Sequence, residues 1–270
     1  MDPVIISLGG LTVRWYGVMA AVGFVSAFLI MLINCKYTKL CKDQIANILI
    51  TAMISGVLGS RIFYVVQNWW YYKKHLGEVI RIDKGGLVFY GGFILALLIL
   101  IVYIRKCCRA DVIRVFDVMS PALALAHAFG RVGCFFNGCC FGKPADLAWS
   151  VVYKPGTIPF DRYGNTPLHP VQIYETLLNI ILACILFMLV RKSKRGVAMS
   201  SYILAYGILR FVDEFFRWDH PQKDMFWGIL TPAQTIGCVM IPLGIGLLIY
   251  FIFLRRGNDA ETFEKTEDQA

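Results

Sequence analysis

Long apolar stretches alternate with short polar ones along this chain. Apolar residues dominate near 12–34, 44–66, 87–104, 112–129, 170–190, 197–216 and 232–254, and the interruptions are polar, basic or aromatic. About 20 helical residues cross the hydrocarbon of a bilayer. The pattern therefore predicts an all-α integral membrane protein of about seven transmembrane helices. The third and fourth stretches are short or spotted with polar residues.

Charge orients the pattern. Lys36, Lys39 and Lys42 follow the first stretch, and Arg105, Lys106 and Arg109 the third. Arg191, Lys192, Lys194 and Arg195 follow the fifth, and Arg255 and Arg256 the seventh. Lys and Arg accumulate on the cytoplasmic side of a membrane. The N-terminus is then expected outside and the C-terminus in the cytoplasm, as an odd number of spans requires. Three longer loops fall outside, near 67–86, 130–169 and 217–231. They carry Trp69, Trp70, Tyr71, Tyr72, Trp149, Tyr153, Tyr163, Trp218 and Trp227, residues suited to the headgroup interface.

Composition agrees with the pattern. The 270 residues are 57% hydrophobic, and the mean hydropathy of +0.60 excludes an ordinary soluble domain. The net charge of +9 resides mainly at helix ends, so nucleic acid is not an expected partner. MDPVIISLGG has no basic region before an apolar core, and no cleaved signal peptide is expected. Residues 1–256 read as one transmembrane domain. Residues 257–270, GNDAETFEKTEDQA, read as a disordered polar cytoplasmic tail.

Candidate chemistry lies in the polar residues that the apolar pattern tolerates. An arginine at a helix centre costs at least about 2.5–3.5 kcal/mol on insertion scales. Arg14 stands just before Trp15 and Tyr16, Arg61 inside the second stretch, Arg131 after the fourth and Arg210 inside the sixth. Arg61, Arg131, Arg210 and Arg217 fall in the outer half of the membrane or at its outer surface, and are expected to converge on an anionic group. Glu214 lies four residues after Arg210, and Arg217 four after Asp213, spacings that pair on a helix. Tyr90 stands among Gly85, Gly86, Gly91 and Gly92, and His169 just before Pro170 in LHPVQIYE. His127, Gln172 and Glu175 read as structural. Cys134, Cys139 and Cys140 have the spacing C-x4-C-C. This is no standard zinc spacing, so no metal is expected there; a disulfide is an open alternative to simple packing.

GRVGCFFNGCCFG, 130–142, resembles the signature G-R-x-G-N-F-x-N-x-E-x-x-G of the prolipoprotein diacylglyceryl transferases. Gly130, Arg131, Gly133, Phe135, Asn137 and Gly142 match. RWYG at 14–17, GSRIFY at 59–64, the glycines of 85–92, LHPVQIYE at 168–175 and YGILRF with EFFR within 206–217 extend the resemblance over nearly the whole chain. The signature's first asparagine, after its second glycine, is Cys134 here. Its glutamate is Cys139, and the histidine of the family's F-H-G-G segment is Tyr90.

The resemblance implies transfer of a diacylglyceryl group from phosphatidylglycerol to the thiol of a lipobox cysteine in a lipoprotein precursor, releasing glycerol phosphate. It implies a bacterial cytoplasmic (inner) membrane, a site near the outer leaflet, and a central cavity open to the bilayer. Membrane lipids would be its surroundings, and no metal or organic cofactor is required. Arg131, Arg210, Tyr90 and His169 are the implied catalytic residues. Tyr16, Arg61, Asn137, Glu214 and Arg217 are the implied substrate-binding residues. The three departures keep a second reading open, with the same donor and a different acceptor. A membrane thiol-redox protein using Cys134, Cys139 and Cys140, and a non-catalytic lipid-binding membrane protein or transporter, are more remote alternatives.

Overall fold

The computed structural model describes residues 3–8, 11–81, 85–219 and 230–254. Trp227, the basic pair Arg255 and Arg256, and the tail 257–270 lie outside the described residues. Val4–Leu8 (β1) and Leu11–Arg14 (β2) pair antiparallel, with Leu8 opposite Leu11 and Val4 opposite Arg14. The first apolar stretch was expected to be helical from residue 12, but α1 runs Trp15–Ile33. Thr12 and Val13 are β-branched and favour an extended backbone. Arg14 remains extended as the N-cap of α1.

The remaining helices are α2 (Lys42–Gln67), α3 (Trp69–Tyr72), α4 (Phe89–Lys106), α5 (Val112–Asn137), α6 (Ile158–Tyr163), α7 (Val171–Lys192), α8 (Val197–Asp213) and α9 (Pro232–Ile249). Among the described residues six helices are long and apolar enough to cross a membrane: α1, α2, α4, α5, α7 and α9 with its continuation to Phe253. The expected sixth stretch, 197–216, is shorter in the structure. Its helix α8 has 17 residues and ends at Asp213.

The largest departure concerns α5. The signature was expected to begin a loop at 130, whereas Gly130–Asn137 forms the last two turns of α5. In lipid a backbone must satisfy its own polar groups, which favours continuing a helix through glycines that a soluble loop would use as breaks. The helix stops at Gly138, whose φ of +68° belongs to the left-handed region open to glycine.

The chain groups into two compact units, Met1–Tyr37 with Phe116–Ala270, and Thr38–Val115. In the second unit α2 packs on α4 through glycines. A Cβ on Gly59 would stand 2.5 Å from the carbonyl oxygen of Gly91, and one on Gly92 would strike Ser60 and the Gly56 carbonyl. Backbones come this close only where side chains are absent, the usual means of helix association in lipid. Arg61 projects from α2 and gathers the segment before α4. Its Nε donates to the Val79 carbonyl at 2.7 Å, Nη2 to Glu78 at 2.7 Å, and Nη1 to Gly85 and Gly86 at 2.9 and 3.1 Å. Tyr64 and Tyr72 stack their rings 5.6 and 5.3 Å from its guanidinium.

In the first unit Ala124 on α5 packs against Leu182, Ala183 and Leu186 on α7, with Tyr202, Ala205 and Leu209 on α8 covering them. Asp117 on α5 accepts from the amides of Gly196 and Met199 at 2.7 and 2.9 Å, fixing the start of α8. α8 and α9 meet through Gly244, where a Cβ would stand 2.6 Å from the Leu204 amide. Of the expected interfacial aromatics, Trp70 is 78% and Trp149 60% exposed, while Tyr72 and Tyr153 are buried at 7% and 2%. Tyr72 is held by Arg61. Tyr153 packs with Phe141 and Leu168 and bonds to Gln172.

Candidate active site

A charged network joins α5, α7 and α8 in the first unit. His127 and Arg131 stand four residues apart and so share a face of α5. Glu175 projects from the first turns of α7, and Arg210, Asp213 and Glu214 from the last turns of α8 and just beyond. Arg131 Nε meets Glu175 Oε2 directly and donates to His127 Nε2 at 3.1 Å. That ring nitrogen also lies 3.4 Å from Glu175 Oε2. Arg210 Nη1 reaches Asp213 at 3.0 Å and Glu175 Oε1 at 3.8 Å, and its Nη2 reaches Glu214 at 2.9 Å. Arg217 forks onto Asp219 at 2.8 and 3.0 Å.

Glu175, Asp213 and Glu214 are almost fully enclosed, at 5%, 6% and 5% exposure. A buried charge is tolerated only when paired and hydrogen-bonded. Burial acts against the charge on Arg217, but its fork to Asp219, with Cys140 and Glu214 beside it, outweighs burial and holds its pKa above the ordinary value. A pocket between α7 and α8 is lined by Glu175, Leu178, Asn179, Tyr206, Leu209, Arg210 and Asp213.

The four arginines expected to act alike have different surroundings. Arg61 is occupied by backbone carbonyls of its own unit. Arg210 is enclosed by three carboxylates, and Arg217 is forked onto one. Arg131 differs, since both of its contacts run through Nε. Among the described residues no hydrogen bond engages its terminal Nη groups, which form a bidentate fork for an anion.

The other expected residues are dispersed around this network. Tyr16 is 51% exposed at the start of α1, and a Cβ added to Gly133 would stand 3.2 Å from the Tyr16 Cα. Asn137 ends α5, two residues before Cys139. His169 sits in a strap beyond α5, its carbonyl accepting from the Gly142 amide at 3.1 Å. Its ring faces the Tyr174 hydroxyl at 3.2 Å and the ring of Phe216. Tyr90 opens α4 in the second unit, 42% exposed, with its ring edge against Phe89.

Two features escaped the sequence reading. Glu175 and His127, read as structural, hold Arg131. A carboxylate inside an apolar span was the available signal, because such groups are expensive unless used. The Sγ atoms of Cys134, Cys139 and Cys140 lie within 4.8 Å of one another, which their irregular spacing did not announce.

Comparison with known proteins matches residues 3–250 to the family model for prolipoprotein diacylglyceryl transferase. The phosphatidylglycerol–prolipoprotein diacylglyceryl transferase of Finegoldia magna is 31% identical over 253 residues, covering 93% of this chain and 96% of that one. The protein of the same name from Clostridium tetani is 34% identical over 248 residues, covering 91% and 96%. That from Listeria monocytogenes serotype 4a is 33% identical over 254 residues, covering 93% and 90%.

Proposed function

Because this chain belongs to the prolipoprotein diacylglyceryl transferase family, we propose that it moves a diacylglyceryl group from phosphatidylglycerol to the cysteine thiol of a lipoprotein precursor. The acceptor sulfur attacks a glycerol carbon, the carbon–oxygen bond to phosphate breaks, and glycerol phosphate leaves. Negative charge grows on the phosphate as that bond breaks. Donors already aimed at growing charge act without reorganising, and they act strongly where water is excluded.

The observation that carries this reading is the open Nη fork of Arg131 beside a fully paired Arg210. Arg131 binds the donor phosphate, and Glu175 and His127 hold its Nε so that the fork keeps one orientation. Arg210, with Glu214 and Arg217, keeps the carboxylates of α7 and α8 compensated. Tyr16 and Asn137 border the phosphate position, and Arg61 shapes the segment that leads to Tyr90. His169 is the group proposed to receive the thiol proton.

Arg191 and Lys192 lie in the last turn of α7, at the opposite end from Glu175, and Arg105 and Lys106 in the last turn of α4, opposite Tyr90. The positive-inside rule then supports a site near the outer leaflet of the bacterial cytoplasmic membrane. A cavity open sideways to the bilayer would admit both lipid-tailed substrates.

The test offers the protein phosphatidylglycerol or phosphatidylethanolamine in liposomes, with a lipobox peptide carrying cysteine or serine. Product and glycerol phosphate are expected only from phosphatidylglycerol with the cysteine peptide. The positions held here by Cys134 and Cys139 favour a second reading, an altered acceptor. Donor binding without transfer to the cysteine peptide would support it and contradict the first.

A further inference from the structure

Three thiols meet at the end of α5, and the backbone is bent to bring them there. Cys134 lies on α5 one turn beyond Arg131, whereas Cys139 and Cys140 lie past the helix end. Their return depends on Gly138 at φ +68° and Cys140 at φ +61°. A non-glycine residue in that region costs on the order of 1 kcal/mol or more, and such strain gathers at functional sites.

The turn is held on several sides. The Cys139 amide donates to the Cys134 carbonyl at 3.2 Å, and Gln172 Nε2 donates to the Cys139 carbonyl at 2.7 Å. Gly142 pairs with Arg217, and the Lys143 amide donates to the Phe216 carbonyl at 2.9 Å. Arg131 and Arg217 both lie within electrostatic reach of Cys140. Two of the three cysteines also occupy positions where the chain departs from its family's signature.

Three sulfurs on a tetrahedral zinc, with Zn–S bonds of about 2.3 Å, stand about 3.8 Å apart. The sulfurs here lie within 4.8 Å of one another, so side-chain rotation can close the difference. Zinc with three thiolates carries one net negative charge, and it would face the guanidiniums of Arg131 and Arg217, each also paired with a carboxylate. A zinc with three protein ligands keeps a fourth position for water or substrate.

We propose that Cys134, Cys139 and Cys140 hold a zinc ion whose fourth position takes the sulfur of the acceptor cysteine. This rests on the transferase reading above. The acceptor displaces water and passes its thiol proton to His169, as proposed above, since a coordinated thiol is deprotonated. A sulfur lone pair forms the bond to the glycerol carbon. The electrons of the breaking carbon–oxygen bond stay with the phosphate oxygen, beside Arg131. The thioether product is neutral and a weaker ligand, so water replaces it. Nothing is oxidised or reduced.

The test uses the full chain in detergent, reduced, stripped with a chelator and titrated with cobalt(II) as a spectroscopic substitute for zinc. One equivalent is expected to bind with thiolate-to-cobalt charge-transfer absorption and tetrahedral d–d bands, and zinc is expected to displace it. A lipobox cysteine peptide should raise the charge-transfer band by about one third, as three thiolates become four, and a serine peptide should not. Cys139→Ser and Cys140→Ser should weaken the band, while Cys107→Ser should leave it intact. Absence of the band in reduced wild type, whether or not a disulfide is found before reduction, overturns the site. A band that ignores the cysteine peptide overturns the acceptor role, as does undiminished transfer by metal-stripped protein. A band that responds to the peptide while no lipid is transferred keeps the thiol site and counts against the phosphatidylglycerol donor.

Discussion

Glu175 on α7 receives Nε of Arg131 on α5, and its other oxygen lies 3.8 Å from Nη1 of Arg210 on α8. One carboxylate thus links three helices and sets the direction of the Arg131 fork. Glu175→Gln keeps the shape and removes the charge. Breaking a buried pair by removing one charge costs about 3–5 kcal/mol, so a clear loss of thermal stability in detergent is expected. Misaimed donors to a growing charge cost about 10²–10³ in rate. Transfer should fall by that factor, with Glu175→Asp between the two. A stable Gln variant with full activity would show that the link is incidental.

Close contact of α2 and α4 depends on Gly59. Gly59→Val should destabilise by about 1–3 kcal/mol, the usual cost of overpacking. Gly56→Ala is the control, because a Cβ there meets nothing within 4 Å. Thermal unfolding should separate the two, with Gly56→Ala unchanged or slightly more stable.

Arg61 binds carbonyls of four residues, 78, 79, 85 and 86, through a planar fork that lysine cannot reproduce. Arg61→Lys should speed amide hydrogen exchange at 78–81 and 85–86 by tenfold or more, while the α4 interior stays protected. Unchanged exchange would mean that the loop holds itself.

Burial pushes the Tyr153 phenol up to about 12, against the opposing hydrogen bond from Gln172. The folded chain then holds this proton more tightly than the unfolded chain, whose tyrosine titrates near 10. Stability is unaffected below pH 10 and declines between about pH 10 and 12, by up to about 1.4 kcal/mol per pH unit. Tyr153→Phe should remove that decline from an alkaline unfolding series while lowering stability at neutral pH through the lost bond to Gln172. A decline that survives in the Phe variant must come from another group.

Spans were legible in the sequence because lipid demands long apolar stretches, and helices α1, α2, α4, α5, α7 and α9 fall where such stretches lie. Boundaries were less legible. Thr12 and Val13 are as apolar overall as a helix start, and only pairing with β1 makes them a strand. Gly130 and Gly133 read as loop residues, yet Gly133 is needed for contact with Tyr16 inside a continuing helix. The importance of Arg131 was visible in its signature. That it alone among the four arginines keeps an open fork was not, because pairing depends on which carboxylates the packing of α7 and α8 brings near. The cysteine cluster was hidden for a similar reason. Its closure depends on the positive φ of Cys140, a backbone state that spacing alone does not reveal.

The most direct measurement of the central claim is the single-turnover transfer of diacylglycerol from phosphatidylglycerol to a lipobox cysteine peptide, comparing wild type with Arg131→Ala and Arg131→Lys. The account predicts a lipidated peptide from wild type, a loss of at least about 10² in the alanine variant, and poor rescue by lysine, which has no fork. Equal rates in all three would contradict the role of Arg131. No product from wild type with the lipid still bound would contradict the acceptor.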